Sequence, residues 1–293
     1  MDSVKGKRAL LLINPKARRG SESLDPLLDE FRRGGLQVTV ETFDALPELA
    51  RDVVRLRHDH DLAIICGGDG SVSAAAVAVM ESGLPMGIIP LGTANDLART
   101  LEIPLELDDA ARVILAGKLR AIDVGTVNGH AFFNVASIGL SSDLAQKLDT
   151  NLKRRWGKLS YAVAAMKVLS SASRFRARIL EKDFSYTVET YQIAVGNGVH
   201  YGGGNVVEES AEIDDGHLDL YSLEMTNLWK LAFLFPAFRS GRHGAWKEVR
   251  TARCREFDIE TGREMPVNTD GEIVTSTPAH FKVHAKAVSV FVP

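Results

Sequence analysis

Five residues raise the first chemical question. Gly67-Gly68-Asp69-Gly70-Ser71 closes the apolar run "LAIIC" (62–66) and leads into an Ala/Val-rich stretch of helical character. Glycines after a buried strand let backbone N–H groups approach an anion, and a helix beginning near Ser71 points its positive end at the same place. Phosphate suits that arrangement. Asp69 would be repelled by bare phosphate, so its carboxylate makes sense if a divalent cation lies between them. The structural alternative is a glycine-rich turn with Ser71 as the helix cap. Two further loops bear on the choice. "NPKARRGS" (14–21) follows the first apolar run and offers Lys16, Arg18 and Arg19 beside Gly20, while "PLGTANDLART" (90–100) carries Gly92 and Thr93 in a turn and Asn95-Asp96 ahead of a helix. Asn95 or Asp96 alone reads as a helix cap. Three such loops at three strand ends favour the functional reading.

The elements that must hold these loops are visible as patterns. Continuous apolar runs at 8–13, 62–66 and 86–89 suit strands buried on both faces of a parallel sheet. Helices are predicted between and after them, over Leu24–Arg33, Pro47–Arg57, Ser71–Ser82 and Asp108–Ala116. Such alternation implies a doubly wound α/β domain with its ligand loops at the carboxyl ends of the strands. Near residue 120 the pattern changes: Asn128-Gly129 lies between two strand-like runs, a hairpin signal, and from residue 174 strand candidates dominate. The expected fold is therefore α/β plus all-β. A doubly wound α/β domain is expected over 1–124, and a mostly antiparallel β-sandwich over 125–293 with helices near 143–172 and 227–239. The final strand is free to return towards the first domain.

Composition narrows the function classes. With 293 residues, 45% of them hydrophobic, the chain can form one or two domains with well-filled cores. A net charge of −3 gives no global reason to bind nucleic acid. Cys66 and Cys254 cannot form a disulfide framework and the opening apolar stretch is short for a signal peptide, so a cytoplasmic, reducing setting is expected. No stretch reaches the roughly 18–20 consecutive apolar residues of a membrane-spanning helix, so any membrane would be met from its surface. The eight histidines show no zinc-like spacing.

The blocks "NPKARRG", "GGDGSVSAA", "PLGTANDLA", "IDVGTVNG", "FFNVASIGL", "KRRWGKLSYA", "VGNGVHYGGGNVVEESAEIDDGHLDL" and "VNTDGE" occur in an order that resembles the diacylglycerol-kinase-like lipid kinases, above all their soluble bacterial members. The resemblance implies ATP-dependent phosphorylation of a lipid hydroxyl, diacylglycerol or a related glycerolipid, with ATP bound between the two domains. Carried over by position, Gly67–Ser71 becomes the phosphate cradle, joined by Asn14, Thr93 and Asn95 and neighboured by Thr42. Asp69, Asp96 and Asp123 match the acidic positions around the nucleotide's magnesium. Asp270 in "NTDGE" matches the general base, with Glu272 as a supporting carboxylate; from the residues alone, Asp270-Gly271 reads as a hairpin turn. "AEIDDGHLDL" matches a second, structural Mg2+ site, formed by the Asp215 carboxylate and the backbone carbonyls of Glu212 and His217; its residues alone read as an acidic turn before a strand.

Two departures stand out. Ser71 replaces the family's usual Thr and keeps its hydroxyl, whereas Ser73-Ala74 replaces an Asn-Glu pair and removes a carboxylate near the phosphate loop. Ala74 motivates one rival reading, a catalytically weak regulator that binds nucleotide or lipid. The other rival, a kinase of the NAD kinase or phosphofructokinase type, shares the GGDG turn but does not predict the later blocks. "KRRWGK" (153–158) and the aromatic segment "NLWKLAFLFPAF" (227–238) fit a surface that docks on a bilayer. The expected partners are a membrane lipid substrate and a peripheral membrane surface, with no nucleic acid; a homodimer stays open.

Overall fold

The computed structural model of the chain describes residues 4–20, 24–140, 173–182, 184–197, 200–201, 205–206, 213–225 and 249–293. The first half runs β1 (Arg8–Ile13), α1 (Asp25–Arg33), β2 (Gln37–Thr42), α2 (Leu46–Leu56), β3 (Leu62–Gly67), α3 (Asp69–Ser82), β4 (Met86–Pro90), α4 (Asp96–Thr100) and α5 (Leu107–Ala116). β3 and β4 are buried along their whole length, and so is β1 after Arg8, which is why they read as unbroken apolar runs. The four strands lie parallel in the order β2-β1-β3-β4. Chain direction across the sheet reverses after β2, so right-handed crossovers put α1 on one face and α2 and α3 on the other. The reversal leaves a crevice at the carboxyl ends of β1 and β3, the place where open α/β sheets bind ligands.

The second half continues with β5 (Leu119–Val127), β6 (His130–Phe132), β7 (Val135–Gly139), β8 (Phe175–Leu180), β9 (Ser185–Thr190), β10 (Gln192–Gly196), β11 (His200–Tyr201), β12 (Asn205–Val206) and β13 (Leu218–Leu223). It ends with β14 (Val249–Cys254), β15 (Glu256–Thr261), β16 (Pro266–Thr269), β17 (Glu272–Ser276) and β18 (Ala279–Phe291). Asn128 and Gly129, both at positive φ (48° and 84°), make the hairpin turn between β5 and β6. An antiparallel sheet ordered β14-β13-β10-β7-β16-β17 faces the antiparallel part of the larger sheet, β18-β15-β8-β9. Their shared core holds Phe257 and Phe281, stacked with centroids 5.1 Å apart, and Phe132 edge-on to Phe281 at 6.5 Å. β18 runs antiparallel to β5 and β15 and meets β4 in parallel at Val290 and Met86, so the two halves share one ten-stranded sheet.

Two elements differ from the sequence reading. α3 begins at Asp69, which places Asp69 and Gly70 inside the first helical turn. β2, "QVTVET", is an added edge strand whose half-exposed residues lack the apolar run of its neighbours. The helices expected near 143–172 and 227–239, with "KRRWGK" and "NLWKLAFLFPAF", lie outside the described residues. Among the described residues no helix is long and apolar enough to cross a membrane.

Candidate active site

The carboxyl ends of β1, β3 and β4 are tied into one surface by their own loops. Asn14 follows β1; its backbone N–H donates to the Cys66 carbonyl (2.9 Å) and its side-chain amide donates to Ser71 Oγ (2.8 Å). The Lys16 N–H in turn donates to Asn14 Oδ1 at 3.0 Å. The β4 loop joins through Leu91 N–H to the Gly67 carbonyl (2.9 Å) and Arg19 N–H to the Leu91 carbonyl (3.1 Å). The Asn95 side chain closes its own turn, accepting from Gly92 N–H (3.0 Å) and donating to Gly92 O (3.2 Å), with Asn95 itself at φ 51°. Thr93 is exposed on this turn, and Thr42 ends β2 opposite Ile13. Of the three cations in "KARR", Lys16 Nζ donates to the Asp44 carbonyl (2.7 Å) and Arg19 to the Leu105 carbonyl (3.0 Å). Arg18 is exposed and has no ion pair among the described residues.

Backbone contact explains two of the glycines. A Cβ on Gly92 would lie 2.6 Å from Gly68 Cα, and one on Gly68 would lie 3.0 Å from Gly92 Cα. Main chain meets main chain there, so neither position has room for a side chain. Gly92→Ala is accordingly expected to lower stability by about 1–3 kcal/mol, the cost of overpacking, and to weaken nucleotide binding by parting the two loops. Gly262→Ala is the control, because a Cβ there meets nothing within 4 Å. Thermal unfolding and calorimetry with ATP read both effects; equal stability of the two variants would mean the loops do not need this contact.

Carboxylates crowd the amino end of α3. Asp69 Oδ1 accepts the Leu97 N–H (3.3 Å), and Asp96 is buried at the start of α4. Burial pushes the Asp69 carboxyl up to about 6; the Leu97 bond opposes this, while the nearby charges of Asp96 and Asp270 add to it. Glu272 reaches the same place from β17: a Cβ on Gly70 would lie 2.6 Å from Glu272 Oε1. Asp69 thus sits in a site short of positive charge, and an all-oxygen donor set suits a hard cation. Among the described residues no group of three or more His, Cys, Asp or Glu side chains could hold a metal by itself. Nucleotide-bound Mg2+ commonly takes one or two carboxylates together with phosphate oxygens and water, and Asp69 and Asp96 fit that smaller set.

Asp270 enters from the opposite domain. Asp270 (φ 47°) and Gly271 (φ 99°) form the hairpin turn between β16 and β17, so the turn reading of this pair holds. The side chain reaches beyond the turn. Oδ2 accepts from Phe133 N–H (2.9 Å) and from the Ser73 hydroxyl (2.8 Å), and Oδ1 accepts from Asn134 N–H (3.1 Å) and Val135 N–H (3.0 Å). Burial pushes this carboxyl above its ordinary range, against the pull of the three backbone donors and the hydroxyl. In the sequence Ser73 stands out only as a departure from a family pattern; its tie to Asp270 has no local signal.

The remaining acidic positions have backbone and side-chain partners of their own. Asp123 is 1% exposed, with Oδ2 accepting Gly216 N–H (2.5 Å) and Oδ1 accepting Lys286 N–H (2.7 Å), and so joins β5 to the 213–217 turn and to β18. Its link to the Asp270 side runs through Asn197, whose amide donates to both the Asp123 carbonyl (3.2 Å) and the Phe133 carbonyl (3.0 Å). Asp215 accepts His217 N–H (2.9 Å) and pairs with Arg253, whose guanidinium supplies positive charge at the carboxylate expected to hold a structural metal. His217 Nδ1 lies 2.8 Å from the Asp215 carbonyl, and Glu212 lies outside the described residues.

Known proteins share both halves. The model of the diacylglycerol kinase catalytic domain matches residues 8–127, and that of the YegS C-terminal NAD kinase beta sandwich-like domain matches residues 134–292. A Pectobacterium atrosepticum protein named "Probable lipid kinase YegS-like" is 32% identical, covering 97% of this chain and 95% of its own. A Staphylococcus saprophyticus protein named diacylglycerol kinase is 26% identical over 98% of this chain and 96% of its own. Among solved structures, one titled as a diacylglycerol kinase from Bacillus anthracis superposes with a TM-score of 0.80 at 25% identity, covering 98% of this chain and 97% of that one.

Proposed function

The chain belongs to the diacylglycerol-kinase-like lipid kinases, and from that membership we propose that it transfers the γ-phosphoryl group of ATP to a lipid hydroxyl, that of diacylglycerol or a related glycerolipid. One observation carries the reading: the Gly68–Gly92 backbone contact, flanked by Asp69 and Asp96, lies at the carboxyl ends of β3 and β4, where Gly70 meets Glu272 and Asp69 feels the charge of Asp270 from the hairpin of the other domain.

Phosphoryl transfer asks little covalent chemistry of a protein, so positioning and charge neutralisation carry most of the rate. The backbone N–H groups at the amino end of α3 and the Ser71–Asn14 pair cradle the nucleotide phosphates, and Arg18 supplies charge from the β1 loop. Asp69 and Asp96 would hold the nucleotide's Mg2+, which would supply neutralisation of the phosphate oxygens. Asp270, with Glu272 beside the same helix end, takes the proton of the attacking hydroxyl. Since the substrate is a membrane lipid, the chain works at a bilayer surface.

The test is labelled ATP with diacylglycerol, phosphatidylglycerol, a sphingoid base and a polyprenol, each in mixed micelles, with the product identified. Phosphorylated diacylglycerol, lost on chelating the divalent cation, is expected. ATP binding with no product on any lipid would instead favour the regulator reading.

A further inference from the structure

Asp270 has two donors on each carboxylate oxygen. A carboxylate offers about four lone-pair sites, so none is left for the hydroxyl of a substrate. Three of the four donors are backbone groups fixed by the surrounding strands. The Asp270 N–H returns to the Val135 carbonyl (3.0 Å), the Asn197 N–H to the Asn134 carbonyl (2.9 Å), and the Asn197 amide to the Phe133 carbonyl (3.0 Å). Ser73 is the exception. Its hydroxyl donates one proton and keeps two lone pairs of its own. It lies four residues beyond Asp69 on α3, on the same helix face and one turn from the phosphate-facing end. The next residue, Ala74, packs against the core of the α/β domain, so Ser73 alone of the Ser73-Ala74 pair meets Asp270.

Building on the lipid kinase reading, we propose that Ser73 is a catalytic residue that relays the proton of the lipid hydroxyl to Asp270. As the lipid oxygen bonds to the γ-phosphorus, its proton passes to Ser73 Oγ, and the Ser73 proton passes to Asp270 Oδ2. The bond from the γ-phosphorus to the bridging oxygen breaks, and its electron pair leaves with ADP. Ser73 ends as it began, and Asp270 ends protonated. The relay leaves every backbone bond to Asp270 in place, whereas direct acceptance requires Ser73 to be pushed aside.

The experiment compares wild type, Ser73→Ala and Ser73→Thr in single-turnover transfer from ATP to diacylglycerol in mixed micelles, with a proton inventory in H2O–D2O mixtures. Ser73→Ala is expected to slow transfer by roughly 10²-fold, the low end for a proton-transfer group, with ATP affinity close to wild type and a lower Tm from the lost hydrogen bond to Asp270. Ser73→Thr, which keeps the hydroxyl, should retain most of the rate. The wild-type inventory should bow, from two protons in flight, and that of Ser73→Ala should be linear. Ser73→Ala turning over as fast as wild type would overturn the relay alone. If that variant does not fold, a linear wild-type inventory overturns it equally. Absence of transfer by wild type to any lipid of the panel would overturn the kinase reading and the relay with it.

Discussion

Asp270→Asn is expected to lower phosphoryl transfer by about 10²–10⁴-fold while ATP still binds, the deficit that loss of a general base produces. The amide cannot accept the proton as an ionised carboxylate does. The surroundings make the substitution less conservative than its size suggests. All four groups pointing at Asp270 are donors: Phe133 and Ser73 on one oxygen, Asn134 and Val135 on the other. Whichever way the Asn side chain is turned, its NH2 group faces two of them. The Ser73 hydroxyl can rotate to accept instead, so turning the NH2 towards Ser73 and Phe133 leaves Phe133 N–H as the orphan, at a cost of about 1–3 kcal/mol. A fall in Tm should therefore accompany the fall in rate. Single-turnover rates on folded protein, calorimetry with ATP and thermal unfolding separate the two effects. Near-native transfer, with the chemical step rate-limiting, would leave the hairpin and its clamp as the whole function of Asp270.

Asp270 also shows where the sequence stops being informative. Asp-Gly between strand-like residues signals a turn by local backbone preference, and the turn is present. The donors that meet the side chain come from positions 73 and 133–135, outside any local window. β1, β3 and β4 were legible because strands buried on both faces have no polar residues to interrupt them, while β2 escaped because an edge strand keeps one side towards solvent. The glycine run was legible as a place of close approach, but not what approaches: Gly68 meets Gly92 main chain, and Gly70 leaves room for Glu272. Asp69 and Asp123 look alike in sequence, each beside a strand-like run. One stands in the first turn of α3 among other carboxylates, and the other lies within β5 with both oxygens taken by backbone donors. Asp215 likewise gave no sign of Arg253, which reaches it from the neighbouring strand.

Asp69→Asn should separate stability from binding, raising one and lowering the other. Burial and the charges of Asp96 and Asp270 push the Asp69 carboxyl from 3.8 to about 6. The folded chain therefore holds this proton more tightly than the unfolded chain. Stability from this group is fully present below about 4 and is lost as pH rises through about 6, so at pH 7 the nucleotide-free protein bears the whole cost of the buried charge. Asn removes that charge and keeps an acceptor for the Leu97 N–H. The variant should have a higher Tm than wild type at pH 7, and the difference should shrink as pH falls towards 4. On the proposed reading, the same charge is what would hold the nucleotide's divalent cation. Magnesium-dependent ATP affinity should fall by about tenfold or more, a loss of at least about 1.4 kcal/mol, whereas metal-free ATP should bind no worse. Thermal unfolding across pH and calorimetry with and without Mg2+ read the two effects on one pair of proteins. A variant that is less stable at pH 7 would mean that Asp69 is held by a favourable partner rather than strained by its neighbours. Unchanged Mg2+-dependent affinity would remove the amino end of α3 from the nucleotide site.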